Sequence, residues 1–184
     1  MSRIPTHATE QTPAKSQPLL AAVQKQLGMV PNLFRIVANS PASLEAYLGF
    51  SGALNKGALA APTRERIALA VAEVNGCAYC LSAHTYLARN LAKLDDAEIT
   101  ANRNGASNDV KADAAVRFAV KLARGRGQAS DADIAALRQA GYSDSEIVEI
   151  IAHVALNTFT NYVNEALKTE IDFPVVTART VVAA

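Results

Sequence analysis

Apolar residues recur at intervals of three or four along most of this chain, as they do on the buried face of a helix. The stretch APTRERIALAVAEVNG, for example, has a broad apolar surface and ends at Asn75-Gly76, a typical turn or C-cap pair. No segment alternates convincingly with period two, and the β-prone end, VVTARTVVAA, is short and terminal. The pattern therefore predicts an all-α protein with about eight helices in a single domain.

The longest predicted helix comes late in the chain, in the stretch SDSEIVEIIAHVALNTFTNYVNEAL. Ser143 and Glu146 have the spacing of a capping box at its start. From Ile147 to Phe159 apolar residues lie on almost every face of the helix. This segment is therefore predicted to be buried on all sides.

Composition and charge narrow the possible functions. The 184 residues suit one compact unit, with an extended N-terminal arm at residues 1–17 and a helical domain at residues 18–184. The formal net charge is +1 and no basic stripe is present, which argues against nucleic-acid binding. The N-terminus lacks the apolar segment of a secretory signal, and no stretch reaches the roughly 18 apolar residues of a membrane span. We therefore expect a cytoplasmic protein that does not enter a membrane.

The most informative stretch is NGCAYCLSAH, which holds both cysteines of the chain and one histidine. On a helix, Cys77, Cys80 and His84 fall within an arc of ~60°, and Cys80 and His84 are direct neighbours. The turn at Asn75-Gly76 places Cys77 in the first turn of this helix, where unpaired backbone N–H groups favour a thiolate. A nearby imidazole can accept the proton of a thiol or stabilise its anion. The spacing therefore predicts a redox-active pair of cysteines.

Other interpretations of this pair stay open. Cysteine is often a small buried apolar residue, although the grouping of the only two cysteines with a histidine disfavours that explanation. A zinc ion could bind the two thiolates and His84, with His153 as a further nitrogen ligand, but closed structural zinc sites need four ligands. A c-type haem is excluded, because its motif has the histidine directly after the second cysteine. In the cytoplasm a stable disulfide would be unusual.

Two glutamates upstream compete for the role of orienting His84. Glu73 lies four residues before the first cysteine, whereas Glu65 lies twelve residues before it. If the chain folds back at Asn75-Gly76, Glu65 lies ~16 Å and His84 ~12 Å from that turn. The two residues are then at similar heights on the two helices of the hairpin. A carboxylate there could orient His84 and raise its basicity. The ordinary alternatives are a surface ion pair for Glu73 and, with Thr63 as N-cap, a first-turn glutamate for Glu65.

The stretch TRERIALAVAEVNGCAYCLSAHTYLARN resembles the alkylhydroperoxidase D-like proteins of the carboxymuconolactone decarboxylase superfamily. The later ALRQAGYSDSEIVEIIAHVALNTFTNYVN is similar to the C-terminal half of their peroxidase-related branch. A Glu twelve residues before C-x-x-C-x-x-x-H carries the resemblance, which covers about residues 30–170. Some members have a histidine between the cysteines, where this chain has Ala78 and Tyr79. The family fold is all-helical, in agreement with the pattern.

The resemblance implies a thiol-dependent peroxidase that reduces hydroperoxides through a Cys-x-x-Cys dithiol/disulfide cycle. Carried over by position, Cys80 attacks the peroxide, Cys77 resolves the product, and Glu65 and His84 form a proton relay. The position of Cys77 at a helix start is a competing argument for Cys77 as the attacking thiol. No metal, haem or flavin cofactor is implied, and the expected reductant is a lipoyl-type or thioredoxin-like dithiol. A homo-oligomer, most simply a trimer or hexamer, is expected from the family and from the unusually apolar late helix.

Three other functions remain as alternatives. The protein could reduce the disulfide of a peroxiredoxin-type partner, or it could be a non-catalytic helical protein with a structural or zinc-binding pair of cysteines. Lactone decarboxylation is the third alternative. It is the weakest of them, because the decarboxylases of the superfamily generally lack the pair of cysteines.

Overall fold

The computed structural model describes residues 1–179, which form nine α-helices and no β-strand. A short 3₁₀ turn at Thr9–Gln11 precedes them. The helices are α1 Gln17–Leu27, α2 Asn32–Val37, α3 Pro41–Leu54, α4 Ala61–Val74, α5 Ala78–Asn90, α6 Asp96–Arg103, α7 Val110–Arg124, α8 Asp131–Gln139 and α9 Asp144–Leu167. The predicted all-α class is confirmed, and all helices except α2 have eight or more residues. None of the helices in residues 1–179 is long and apolar enough to cross a lipid bilayer.

Helix α4 lies at the centre of the molecule and packs against helices on two sides. Ile67 and Val71 belong to an apolar cluster with residues of α7, α8 and α9. Leu69 and Ala72 belong to a second cluster with α1, α2, α3, α5 and both cysteines. Because α4 is buried on both sides, it forms a fixed support for the side chains that it presents near α5.

The turn between α4 and α5 is tight and contains the predicted Asn75-Gly76 pair. Gly76 has a positive φ of 68°, which a residue without Cβ adopts at little cost. The Cys77 amide then donates to the Ala72 carbonyl at 2.9 Å. Cys77 is the N-cap of α5, one position before the predicted first turn, and its Sγ accepts a hydrogen bond from the Cys80 amide at 3.2 Å. The thiol therefore takes the place that a Ser or Asp oxygen usually has at an N-cap.

The start of α4 differs from the prediction. The helix begins at Ala61, with Ala60 as N-cap and a proline in the first turn, so Thr63 is inside the helix and is not its cap. Proline is favoured at the start of a helix because its φ is already helical and its missing N–H is not needed there. Glu65 consequently lies in the second turn, so the prediction of a first-turn glutamate is wrong.

Helix α9 confirms one prediction and corrects another. The capping box of Ser143 and Glu146 is present in both directions. Burial on all sides, however, is wrong for a single chain: Val148 is 64% exposed, Ile151 44% and Phe159 39%. The described helices cover one face of α9 and leave the opposite apolar face open.

The N-terminal arm lies along its own chain. The Arg3 amide donates to the Leu167 carbonyl at 2.7 Å, at the end of α9. The Asn39 side chain donates to the Pro5 carbonyl at 3.0 Å. These bonds attach the arm to α9 and to the end of α2. Residues 180–184, the last part of the β-prone C-terminal stretch, lie outside the described residues.

Candidate active site

The two cysteines have different surroundings. Both are free thiols, and both are buried, with 0% of Cys77 and 3% of Cys80 exposed. Cys80 lines a cavity of about 310 Å³ between α1, α2, α3, α4, α5 and α9, whereas Cys77 does not line it. A small molecule that enters the cavity therefore meets Cys80 first.

Hydrogen bonds make Cys80 the more acidic of the two thiols. The Asn164 side-chain amide on α9 donates to Cys80 Sγ at 3.2 Å. Burial acts to raise the pKa of Cys80, but the hydrogen bonds from the Cys77 thiol and from Asn164 outweigh it, and the pKa is lowered to about 7. The pKa of Cys77 is raised, first because its thiol donates to Cys80 and second because it is buried. The surroundings therefore favour a thiolate at Cys80, against the expectation from the helix start.

His84 and Glu65 form a hydrogen-bonded pair on the wall of the same cavity. His84 Nδ1 lies 2.9 Å from Glu65 Oε2, and both side chains are 22% exposed. Burial lowers the pKa of His84, but the charge and hydrogen bond of Glu65 outweigh it and raise the pKa. A carboxylate at Nδ1 holds the proton there and leaves Nε2 as the acceptor. The predicted contact across the hairpin is present, one helical turn after Cys80.

Glu73 has a different partner. Arg103 Nε donates to Glu73 Oε2 at 2.6 Å, and the Arg179 amide donates to Oε1 at 2.7 Å. The carboxylate is therefore engaged with α6 and with the C-terminal segment. The ordinary alternative for Glu73, an ion pair, is thus present, although the side chain is largely buried, with 11% exposed.

Tyr79, which lies between the cysteines, fastens the start of α5. Its hydroxyl accepts from the Leu33 amide at 3.0 Å and donates to Asp172 Oδ1 at 2.8 Å. The other oxygen of Asp172 accepts from the Asn32 amide at 2.7 Å. Because Tyr79 joins α5, α2 and the segment after α9, it helps to hold the neighbouring Cys80 in position.

The zinc hypothesis depends on where His153 lies. His153 is on α9 and lines the same cavity as Cys80 and His84. Within residues 1–179, no group of three or more His, Cys, Asp and Glu side chains is placed to hold a metal ion. Cys80, His84 and His153 share the cavity wall, but they and Cys77 do not form such a group in the described part of the chain.

Sequence reasoning missed the contribution of α9 to this site. A stripe of buried polar residues runs along an otherwise apolar helix, and its members are His153, Asn157, Thr160, Asn161 and Asn164. Their spacing of four, three, one and three residues places them on one face. Polar residues at helical spacing inside an apolar helix are a signal for a buried polar site, because each must find a partner.

The sequence model described as Carboxymuconolactone decarboxylase family matches residues 41–124, which include all four predicted site residues. No curated protein matches the sequence significantly. The alkylhydroperoxidase AhpD core of a peroxidase-related protein from Ralstonia eutropha JMP134 is similar with a TM-score of 0.83 and 26% identity, over 93% of this chain and 92% of that one. The chain has the alkylhydroperoxidase D-like fold, and the predicted resemblance is confirmed.

Further structures share this alkylhydroperoxidase D-like fold. A peroxidase-related protein from Silicibacter sp. TM1040 is 27% identical with a TM-score of 0.80, over 92% of this chain and 91% of that one. A variant of the debrominase Bmp8 in complex with 2,3,4-tribromopyrrole is 20% identical with a TM-score of 0.72, over 86% of each chain. The fold thus extends over nearly the whole chain in the peroxidase-related proteins.

Proposed function

We propose that this protein is a thiol peroxidase, in which Cys80 reduces a hydroperoxide and Cys77 closes a disulfide with it. One observation carries the proposal: the Cys80 thiol lines a cavity whose wall also holds the bonded pair of His84 and Glu65. The Cys80 thiol has a pKa of about 7, so a large fraction of it is thiolate near neutral pH. Nucleophile, base and orienting carboxylate have the arrangement that activated nucleophiles use.

The first step oxidises Cys80. Nε2 of His84 takes the proton of the Cys80 thiol, and Glu65 stabilises the imidazolium that results. The thiolate attacks the terminal oxygen of the hydroperoxide, and the O–O bond breaks. The oxygen becomes the sulfenic acid of Cys80, and the leaving alkoxide takes the proton from His84 as an alcohol.

The second step forms the disulfide, and the third removes it. The Cys77 thiol attacks the sulfenic sulfur of Cys80, an S–S bond forms, and the oxygen leaves as water. A dithiol reductant then attacks the disulfide, leaves oxidised as its own disulfide, and restores both thiols. All electrons of this cycle come from thiols. Because both cysteines are buried, a slim dithiol of the lipoyl type reaches them more readily than a folded thioredoxin-like domain does.

A peroxide-consumption assay across candidate dithiols tests the proposal. We expect turnover with wild type and none with Cys80→Ser or Cys77→Ser. The Cys77→Ser variant should accumulate a sulfenic acid that a dimedone probe traps at Cys80, whereas Cys80→Ser should not react. Absence of peroxide consumption with every dithiol, or sulfenic acid trapped at Cys77 instead, would contradict the assigned roles.

A bromoaromatic compound is a second candidate substrate for the same two thiols. Phe34 and Tyr47 line the cavity with Cys80, and their ring centroids lie 5.6 Å apart, so an aromatic ring has an apolar wall to stack on. A bromoaromatic could be reduced by the two thiols: a C–H bond replaces one C–Br bond, the two sulfurs are oxidised to a disulfide, and bromide and a proton leave. Incubation with 2,3,4-tribromopyrrole and a dithiol tests this: bromide release that needs Cys80 would support it.

A third candidate is reduction of a partner's disulfide. The test is incubation of the reduced protein with oxidised peroxiredoxin. Loss of the peroxiredoxin disulfide without added peroxide would support this function. The burial of both thiols argues against direct contact with a folded partner.

A further inference from the structure

Two polar side chains in the Cys80 cavity have no part in the proposed cycle. Arg64 on α4 and His153 on α9 both line this cavity. They come from α4 and α9, two helices that pack against each other, and each presents hydrogen-bond donors that the peroxide chemistry does not use.

His153 has an unused hydrogen-bonding atom. The residue is 4% exposed, and its buried Nε2 has no hydrogen-bond partner among residues 1–179. A buried polar atom without a partner lowers stability, so proteins seldom keep one unless a ligand or water completes it. Burial, and then the charge of Arg64, lowers the pKa of His153 to about 4. The ring is therefore neutral near pH 7, so it can donate a hydrogen bond without carrying a charge.

Arg64 has a charge without a carboxylate partner. Its Nη1 donates to the Leu59 carbonyl at 2.6 Å, and within residues 1–179 no carboxylate lies at ion-pair distance from it. The two glutamates that act on the pKa of His153 are engaged elsewhere. Glu65 is bonded to the relay histidine, and Glu149 accepts from two backbone amides before α4 at 2.9 Å each.

We propose that Arg64 and His153 bind the carboxylate of an organic hydroperoxide whose reactive end reaches Cys80. This inference rests on the proposed peroxidase function and names the substrate class of the same cavity. The guanidinium supplies one positive charge and a planar fork of N–H groups, which matches one carboxylate. The same cavity is also lined by apolar side chains such as Phe34 and Leu48, which suit an apolar substrate body.

The carboxylate is not changed in the reaction. The hydroperoxide loses its terminal oxygen to the Cys80 thiolate and leaves as the corresponding hydroxy acid, with the proton supplied by His84. Arg64 and His153 thus act by positioning the O–O bond against the thiolate.

A binding experiment tests the subsite without any turnover. The probes are 4-phenylbutyrate and 4-phenylbutyramide, which have the same shape and differ in charge. We expect the acid to bind wild type roughly 10- to 100-fold more tightly than the amide, as measured by calorimetry, because a hydrogen bond to a charged group is stronger. The acid should also slow alkylation of Cys80 by iodoacetamide. Equal affinity of the two probes, or binding that leaves alkylation of Cys80 unchanged, would overturn the proposal.

Variants test whether Arg64 and His153 cause the tighter binding of the acid. Arg64→Met should abolish the preference for the acid, and His153→Phe, which keeps a ring but removes the donor, should reduce it about tenfold. Arg117→Met is the control: Arg117 is an exposed arginine paired with Asp113, and its loss removes the same charge at the surface. If Arg117→Met lowers the preference as much as Arg64→Met does, general surface charge explains the binding and the subsite is refuted.

A turnover experiment separates the subsite from the proposed function. We expect kcat/KM for a hydroperoxide that carries a carboxylate to exceed that for its methyl ester by roughly 10-fold or more. Equal rates for acid and ester, with equal probe binding, would refute the subsite and leave the peroxidase function standing. Arg64-dependent binding of the acid probe without reduction of either hydroperoxide would refute the peroxidase function and leave a carboxylate site.

Discussion

The reactivity of Cys80 depends on neighbours from two parts of the chain. The Cys77 thiol is close in sequence, whereas the Asn164 amide comes from α9 and lies 3.2 Å from Cys80 Sγ. Each donor stabilises the thiolate more than the thiol. The lowered pKa of Cys80 is thus a property of the packed helices and not of the Cys-x-x-Cys motif alone.

Asn164→Leu should raise the pKa of Cys80 by about 1 to 2, because a hydrogen bond to a charged group contributes roughly 1.5–3 kcal/mol. The measurement is the rate of Cys80 alkylation against pH, followed by mass spectrometry. With the wild-type pKa of about 7, the rate should rise as pH increases through 7 and then level off. Asn157→Leu is the control, since that amide donates to the His153 carbonyl and not to the thiol. An unchanged profile in Asn164→Leu would contradict the role of this amide.

Glu65→Gln should lower peroxidase turnover by about 10²–10⁴-fold, as expected when a general base loses the carboxylate that supports it. The substitution keeps the size and a hydrogen bond to His84 but removes the charge, so the pKa of His84 should fall. NMR titration of His84 and turnover at fixed pH check the two effects. Glu73→Gln is the matched control, because its partner is Arg103: it should keep most activity and lose some stability. Full activity in Glu65→Gln would show that His84 works without the carboxylate.

Among the elements, α6 is fastened to α4 by a buried carboxylate. Glu98 accepts from Arg66 Nε at 2.6 Å, Asn102 at 2.9 Å and Ser107 at 2.5 Å. Burial raises the pKa of Glu98, but these bonds and the Asn108 amide outweigh it and lower the pKa to about 2. This carboxylate therefore joins α4, the helix that carries Glu65, to α6 and to the loop before α7.

Glu98→Gln should lower the free energy of unfolding at pH 7 by roughly 2–4 kcal/mol, because it leaves the Arg66 charge without its partner. The folded-state pKa of Glu98 lies below the unfolded value of about 4.3, so its contribution is complete above about pH 4.3 and is lost as pH falls towards 2. Urea unfolding of both proteins from pH 7 to pH 3 measures the difference. A difference that stays constant or grows as the pH falls would contradict this assignment.

At the scale of the whole molecule, helix α9 leaves an apolar face open. Val148, Ile151, Phe159 and Tyr162 are spaced by three, eight and three residues, so they share one face, and all are exposed. A monomer rarely exposes such a continuous apolar stripe. We propose that a second copy of this chain covers it; a trimer or hexamer remains the expectation from the family.

Val148→Lys should shift the protein towards a 19.4 kDa monomer, because a buried lysine opposite an apolar face is costly. Light scattering after size-exclusion chromatography at micromolar concentration measures the mass. Val110→Lys is the control, since Val110 is 89% exposed at the start of α7. A wild-type particle of 19.4 kDa would contradict self-association, and an equal shift in Val110→Lys would contradict the role of α9.

Local patterns were sufficient for the features that depend on neighbouring residues. Helical periodicity identified the all-α class. The hairpin spacing at Asn75-Gly76 put Glu65 and His84 at similar heights, the family resemblance favoured Glu65 over Glu73, and Glu65 and His84 are in contact. The capping box at Ser143 was equally readable, because its partners lie three residues apart. These features need only the geometry of a helix and of a tight turn.

The sequence by itself determined the all-α class and the Cys-x-x-Cys hairpin, and its spacing put Glu65 at the height of His84, since these features depend only on helix geometry and one tight turn. Only the tertiary structure decided that Cys80 faces the cavity and is the more acidic thiol, because that depends on Asn164, 84 residues away in α9. It also decided which face of α9 is covered, although apolar residues lie on almost every face of that helix. Burial and long-range hydrogen bonds are set by the packing of distant helices, and no local spacing encodes them.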